Sequence, residues 1–146
     1  MKLQLIWVGK TRNQNWLALQ EDYAKRLRHF VSFDIVEVRD GDREIEGKRI
    51  LDKLNQSSFV CLFDAAGKAM DSPGFAGQFE KWQNAGMKEI SFIIGGADGV
   101  SAEVRERADA VLSLSFLTFT HEMARVVMLE QIYRAYTIIK GYPYQK

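Results

Sequence analysis

A chain of 146 residues, 47% hydrophobic and 27% charged, has the composition of an ordered globular protein, which excludes a disordered or collagen-like one. Its length predicts one domain, residues 1–146, and its net charge of +1 excludes bulk attraction of nucleic acid, so any such partner needs a local patch. One cysteine, Cys61 in an apolar run, two histidines far apart, His29 and His121, and no CxxC pair exclude a disulfide framework and a zinc site; no metal is expected.

Lys2 to Val8 reads as a strand, too short in its apolar core for a signal peptide, and no stretch reaches the roughly 20 apolar residues of a membrane helix. A cytoplasmic location without a membrane partner is expected. Trp16 to Phe30, capped by Asn15, spaces Leu17, Tyr23, Leu27 and Phe30 as a helix does. Phe33 to Val38 is β-branched and strand-like, Glu44 to Leu54 helical, and Phe59 to Phe63 a short buried strand followed by a loop at Ala65 to Lys68. Ser72-Pro73 supplies a cap and a first-turn proline for a helix that stops at Gly86. Ile90 to Ile94 makes a fourth strand, Ser101 caps a short helix, and Val111 to Leu114 makes a fifth strand. Helices alternating with strands at this spacing predict an α/β fold, a mostly parallel open sheet with helices on both faces.

Gly95-Gly96-Ala97-Asp98-Gly99 follows the fourth strand. Glycines there let main-chain N–H groups approach a ligand, and the same five residues also suit a tight strand-to-helix turn. The spacing GGxxG is not the GxGxxG of a dinucleotide site, and no GK[ST] ending makes a phosphate loop. The fifth strand empties into Leu114 to His121, so two neighbouring strand ends with loops mark a ligand site.

The last helix, from about Glu122 to Lys140, gathers Glu130, Arg134, Thr137 and Lys140 on one side and Leu129, Ile132, Tyr136 and Ile139 on the other. Arg125 falls in the middle of the apolar side, where a guanidinium needs partners. It is either a structural arginine or a group turned to the nearby ligand site. Helix-start His121 reads as a capping or solvated histidine, or as a base. So few polar positions on a long helix favour a helix-to-helix homodimer contact through Ile132 or Ile139.

The strand-GGxxG segment, the run LSLSFLTFTHEMARVVMLEQIYRAYTI, the Pro143-Tyr144 tail, the MKLQL start and RILDK at Arg49 to Lys53 resemble the SPOUT superfamily of trefoil-knotted methyltransferases. Within it they resemble the ribosomal RNA large subunit methyltransferase H family over essentially the whole chain. The resemblance implies a parallel α/β sheet with a C-terminal trefoil knot, S-adenosyl-L-methionine as cofactor, a homodimer, and methylation of N3 of a pseudouridine in 23S rRNA of the assembled ribosome. It places cofactor contacts on Phe63, Gly95, Leu114, Ser115, Phe116, Leu117, Thr118 and Phe119. As catalytic candidates it leaves Arg125 to stabilise an anionic imide, His121 to accept a proton and Tyr144 to stack on or orient the base. RNA phosphates would meet Lys10, Arg12, Lys25, Arg26, Arg28 and Lys146.

The chain departs from the family at Phe63, where leucine is usual, at Ala97, where proline is common after the double glycine, and at Gln145, where the tail commonly carries histidine. The altered tail is what a non-catalytic ribosome-binding relative would show, and the fold alone does not fix which RNA is the target.

Overall fold

Side chains along the first strand alternate: Leu3, Leu5 and Trp7 enter one buried cluster, Ile6 and Val8 another. A strand buried on both faces needs a covering layer on each, the arrangement of parallel sheets. The computed structural model supplies these layers through β1 (Lys2–Val8), α1 (Gln14–Leu27), β2 (Ser32–Val38), α2 (Arg43–Asp52), β3 (Phe59–Ala69), α3 (Ser72–Asn84), β4 (Glu89–Ile94), α4 (Ala102–Arg107), β5 (Ala110–Ser113) and α5 (His121–Lys140). It describes residues 1–96 and 98–144; Ala97, Gln145 and Lys146, which the sequence reading singled out, lie outside the described residues.

The five strands form one sheet in the order β2-β1-β4-β3-β5, every pairing parallel. Leu27 of α1, Phe75 and Phe79 of α3, and Leu129 and Ile132 of α5 cover one face; Ile50 of α2 and Val104 of α4 cover the other. The α/β class, the parallel sheet and helices on both faces are therefore as the periodicity predicts.

Four local readings are corrected. Asn13, not Asn15, caps α1: its side chain accepts from the N–H groups of Asn15 and Trp16 at 2.9 and 3.1 Å. Asp71, not Ser72, caps α3 by accepting from Gly74 N–H at 2.8 Å, which moves Ser72 and Pro73 into the first turn. β3 does not stop at Phe63; it shifts register and pairs again through Lys68 and Ala69 with Leu112 and Ser113. A Cβ on Gly67 would stand 2.7 Å from the Leu112 carbonyl carbon, so the lack of a side chain lets the two strands approach. Finally, Ile132 is fully buried within this one chain, because α5 packs on both α1 and α3. It is a core residue and not an intersubunit contact.

Candidate active site

The site begins where β4 ends. After Ile94 the chain turns back on itself, Gly99 N–H donating to Gly96 C=O at 3.0 Å, with Gly99 at φ 79°. Left-handed φ favours glycine, and at Gly95 the requirement is spatial: a Cβ would meet Val100 Cγ1 at 2.7 Å and the Gly99 carbonyl carbon at 3.1 Å.

The second wall follows β5. Ser113 Oγ donates to Ser115 C=O at 2.9 Å, and Leu117 N–H donates to Ser115 Oγ at 3.0 Å, which folds the loop before α5 starts at His121. Between the glycine turn, this loop and the middle of β3 lies a cavity of about 600 Å³. Phe63, Gly95, Leu114, Ser115, Leu117, Thr118 and Phe119 line it. Phe116 does not; it projects outward with 74% of its surface exposed. The wall also includes Asp64, Val100, Thr120 and Ala124. Of these, Asp64 had a visible sequence signal, being the polar residue next after Phe63.

Asp64 is the carboxylate of this lining. Its Oδ2 pairs with Arg105 Nη2 at 2.5 Å and its Oδ1 accepts from Ala66 N–H at 2.8 Å. The Arg105 hydrogen bond first, then that main-chain bond, hold its carboxyl below the usual carboxylate range. The cavity thus carries a charged carboxylate, neutralised by Arg105, at one wall.

The three catalytic candidates are not brought together. His121 lines the cavity and is exposed. Arg125, one turn on, points elsewhere: it is 1% exposed, with its guanidinium carbon 5.0 Å from the Trp7 ring centroid. Nη1 donates to Thr11 Oγ1 at 2.9 Å, Nη2 donates to Val8 C=O, and Nε has no partner among the described residues. Burial lowers its pKa, opposed by Glu122 and Glu37 through space. Thr11 passes the contact on, donating to Gln20 Oε1 at 2.6 Å. Arg125 therefore ties the end of β1 to the first turn of α5.

Glu122 makes a parallel tie. Its two oxygens accept from Arg12 N–H at 2.9 Å and Asn13 N–H at 3.0 Å, bonds that hold its carboxyl below the usual range. Tyr144, in the tail after α5, turns back to the helix, donating to Glu130 Oε2 at 3.3 Å, with its hydroxyl 3.1 Å from Tyr23 Oη and its ring centroid 5.1 Å from the Arg134 guanidinium carbon. Burial first, then the Tyr23 hydrogen bond, raise its pKa.

The cavity fits a purine-bearing cofactor on the structure's own terms. Its volume is in the range of small-molecule sites, and its walls join aromatic and aliphatic side chains to a few polar ones, Asp64, Ser115, Thr118, Thr120 and His121. Among the described residues, no cluster of three or more His, Cys, Asp or Glu is placed to hold a metal, and no helix is long and apolar enough to cross a membrane. Another hollow, lined by Met1, Lys2, Gln83, Gly86, Met87 and Lys88, sits at the opposite end of the central strands, where β1 and β4 begin.

Residues 1–145 match the family model described as Predicted SPOUT methyltransferase. The chain belongs to the SPOUT methyltransferase family. Two curated relatives carry the name Ribosomal RNA large subunit methyltransferase H. The Geobacter sulfurreducens protein is 41% identical with 99% of each chain covered; the Halothermothrix orenii protein is 38% identical with both chains covered in full. A Legionella pneumophila methyltransferase solved with its bound cofactor SAM shares the fold at a TM-score of 0.50 and 12% identity, covering 92% of this SPOUT chain and 66% of its own.

Proposed function

We propose that this SPOUT chain is an S-adenosyl-L-methionine-dependent methyltransferase that methylates N3 of a pseudouridine in 23S rRNA. It does so as a homodimer, on assembled ribosomes in the cytoplasm. The observation that carries the reading is the cavity between the Gly95 turn and the Leu114 to Thr120 loop, in a chain matched to rRNA methyltransferases over its whole length.

Phe63, Leu114, Leu117 and Phe119 would cover the purine, while main-chain groups beside Gly95 and in the 114–119 loop bond its edge. When bound, the cofactor supplies a methyl carbon already activated by a sulfonium. The chain's own task is to hold the base in line and let the imide proton leave. His121, exposed at the lining, is placed to accept that proton. Arg125 we assign to positioning: through Val8 and Thr11 it fixes the helix turn that carries His121. Lys10 and Arg12, exposed on the loop that Glu122 grips, are the phosphate contacts nearest that turn.

Homodimer formation is supported by the outward side of α5, where Met123, Val127 and Ile138 recur at helical spacing beside the Glu130 and Arg134 pair. The C-terminal knot is supported by the path from β5 at the sheet edge, across the ends of β3 and β4, to the Thr11 to Asn13 loop before α5 descends. The deciding experiment is transfer of a labelled methyl group to ribosomes lacking their own modification. Label recovered at N3 of a pseudouridine is the expected result; label elsewhere in the RNA, or none, overturns it.

A further inference from the structure

Phe63 is the last residue of β3 that pairs with β4, and the last before the register break in its pairing with β5. Asp64 is therefore the first residue released from both ladders, and bulges of this kind re-aim side chains beside active sites. Here the side chain comes to the wall of the cavity of about 600 Å³. The N–H of Ala66, also inside the break, donates to its Oδ1 at 2.8 Å and fixes the carboxylate there.

Among the described lining residues Asp64 is the one carboxylate, and no lysine or arginine joins it. Its partner Arg105 comes from α4 and stands outside the lining. The pair is neutral as a whole, yet its two charges do not cancel inside the cavity. Only the carboxylate end reaches the wall, and its side chain is 26% exposed against 48% for Arg105, so water screens the cation more than the anion. A ligand in the cavity meets the negative end of a dipole, over a reach of about 10 Å at 0.1 M salt that is comparable with the width of such a site.

We propose that Asp64 is a specificity-determining residue, which biases the cavity toward the sulfonium-bearing methyl donor and against its uncharged thioether product. The proposal rests on the methyltransferase reading above. In transfer the S–CH3 bond breaks with its electron pair left on sulfur, the base nitrogen forms the new N–CH3 bond once its proton has gone, and the ligand in the cavity loses one positive charge. A wall that presents negative charge distinguishes the two ligands by that charge alone, holding the donor and loosening the product. Arg105 opposes the bias and so sets its size.

The test is calorimetric titration of the full chain with S-adenosylmethionine, with S-adenosylhomocysteine, and with sinefungin, which carries an ammonium where the donor carries its sulfonium. None of these titrations needs turnover. Asp64→Asn keeps the shape and one acceptor oxygen but removes the charge, and affinity for the thioether relative to the two cations should rise by about 3- to 10-fold. Arg105→Gln unmasks the carboxylate and should move the same ratio the other way, by about 2- to 5-fold. Should the asparagine variant fail to fold, Asp64→Ser, whose hydroxyl still accepts from Ala66 N–H, gives the same reading.

Equal losses for all three ligands in both variants are what a pair that only fastens β3 to α4 produces, and they overturn the proposal. A shift of the same sign in both variants overturns it too. Wild-type chain that binds none of the three refutes the methyltransferase reading itself; wild type that binds them, with a ratio neither variant alters, refutes the role of Asp64 alone.

Discussion

Arg125 on α5 donates to the main-chain carbonyl of Val8, 117 positions earlier, and so fastens the end of β1 to the helix turn that bears His121. The carbonyl sits at a strand end with no solvent to replace a lost donor.

Arg125→Ala should therefore act first on stability. It strands Val8 C=O, removes the donor to Thr11 and empties the space over Trp7, together costing about 2–4 kcal/mol. Thermal melting and turnover on one preparation check this. An unchanged melting temperature with turnover lost by orders of magnitude would return Arg125 to direct catalysis.

Acid should weaken the same region. Glu122 and Asp64 both have carboxyls held below their unfolded values, so their contribution is complete above the ordinary carboxylate range and is lost as pH falls from about 4.5 through their lower folded values. Denaturant midpoints of wild type and Glu122→Gln, measured from pH 6 to pH 3, should converge at the acid end. A constant gap across that range contradicts the linkage.

Two glycine substitutions should part company. Gly95→Ala drives a Cβ into Val100 and the Gly99 main chain and should weaken cofactor binding, whereas Gly77→Ala in α3 meets nothing within 4 Å and should stabilise by about 1 kcal/mol through helix propensity. Melting curves with and without S-adenosylmethionine separate the effects. Equal behaviour of the two variants would mean that the Gly95 turn adjusts freely.

Charge placed on the two sides of α5 tests the homodimer. Ile138→Asp, at a position 43% exposed, should give folded monomers, while Ile132→Asp should fail to fold, since it buries a charge in the core. Light scattering decides; a dimeric Ile138→Asp protein would put the contact on another face.

Cys61 should resist alkylation in the native protein. Burial raises its thiol pKa to about 12, so almost no thiolate is present at neutral pH. Labelling should appear only with unfolding, and native labelling at the rate of a free thiol would contradict its placement.

The two strand ends that build the cavity were legible because glycines after one apolar run and an apolar loop after another leave few structural alternatives. Arg125 was legible only as an anomaly, a charge on an apolar helical side. Its partners were not, because nothing local connects it to Val8 and Thr11, the latter 114 positions away. The extension of β3 was hidden by turn-like composition at Ala65 to Lys68; pairing with β5 overrides it. The wide apolar girth of α5 announced covering on more than one side, but could not say that α1 and α3 of the same chain do part of the covering.

The place of β4 in the middle of the sheet bears on how the chain is made. Until β4 leaves the ribosome, β1 with β2 and the lone β3 have no strand to join them, since β4 alone pairs with both β1 and β3. Vectorial synthesis, at about 5–20 residues per second, thus holds the nascent chain in an unjoined state past Ile94. The glycine turn and the 114–119 loop emerge next, so sheet and binding walls are completed within one short interval after β4.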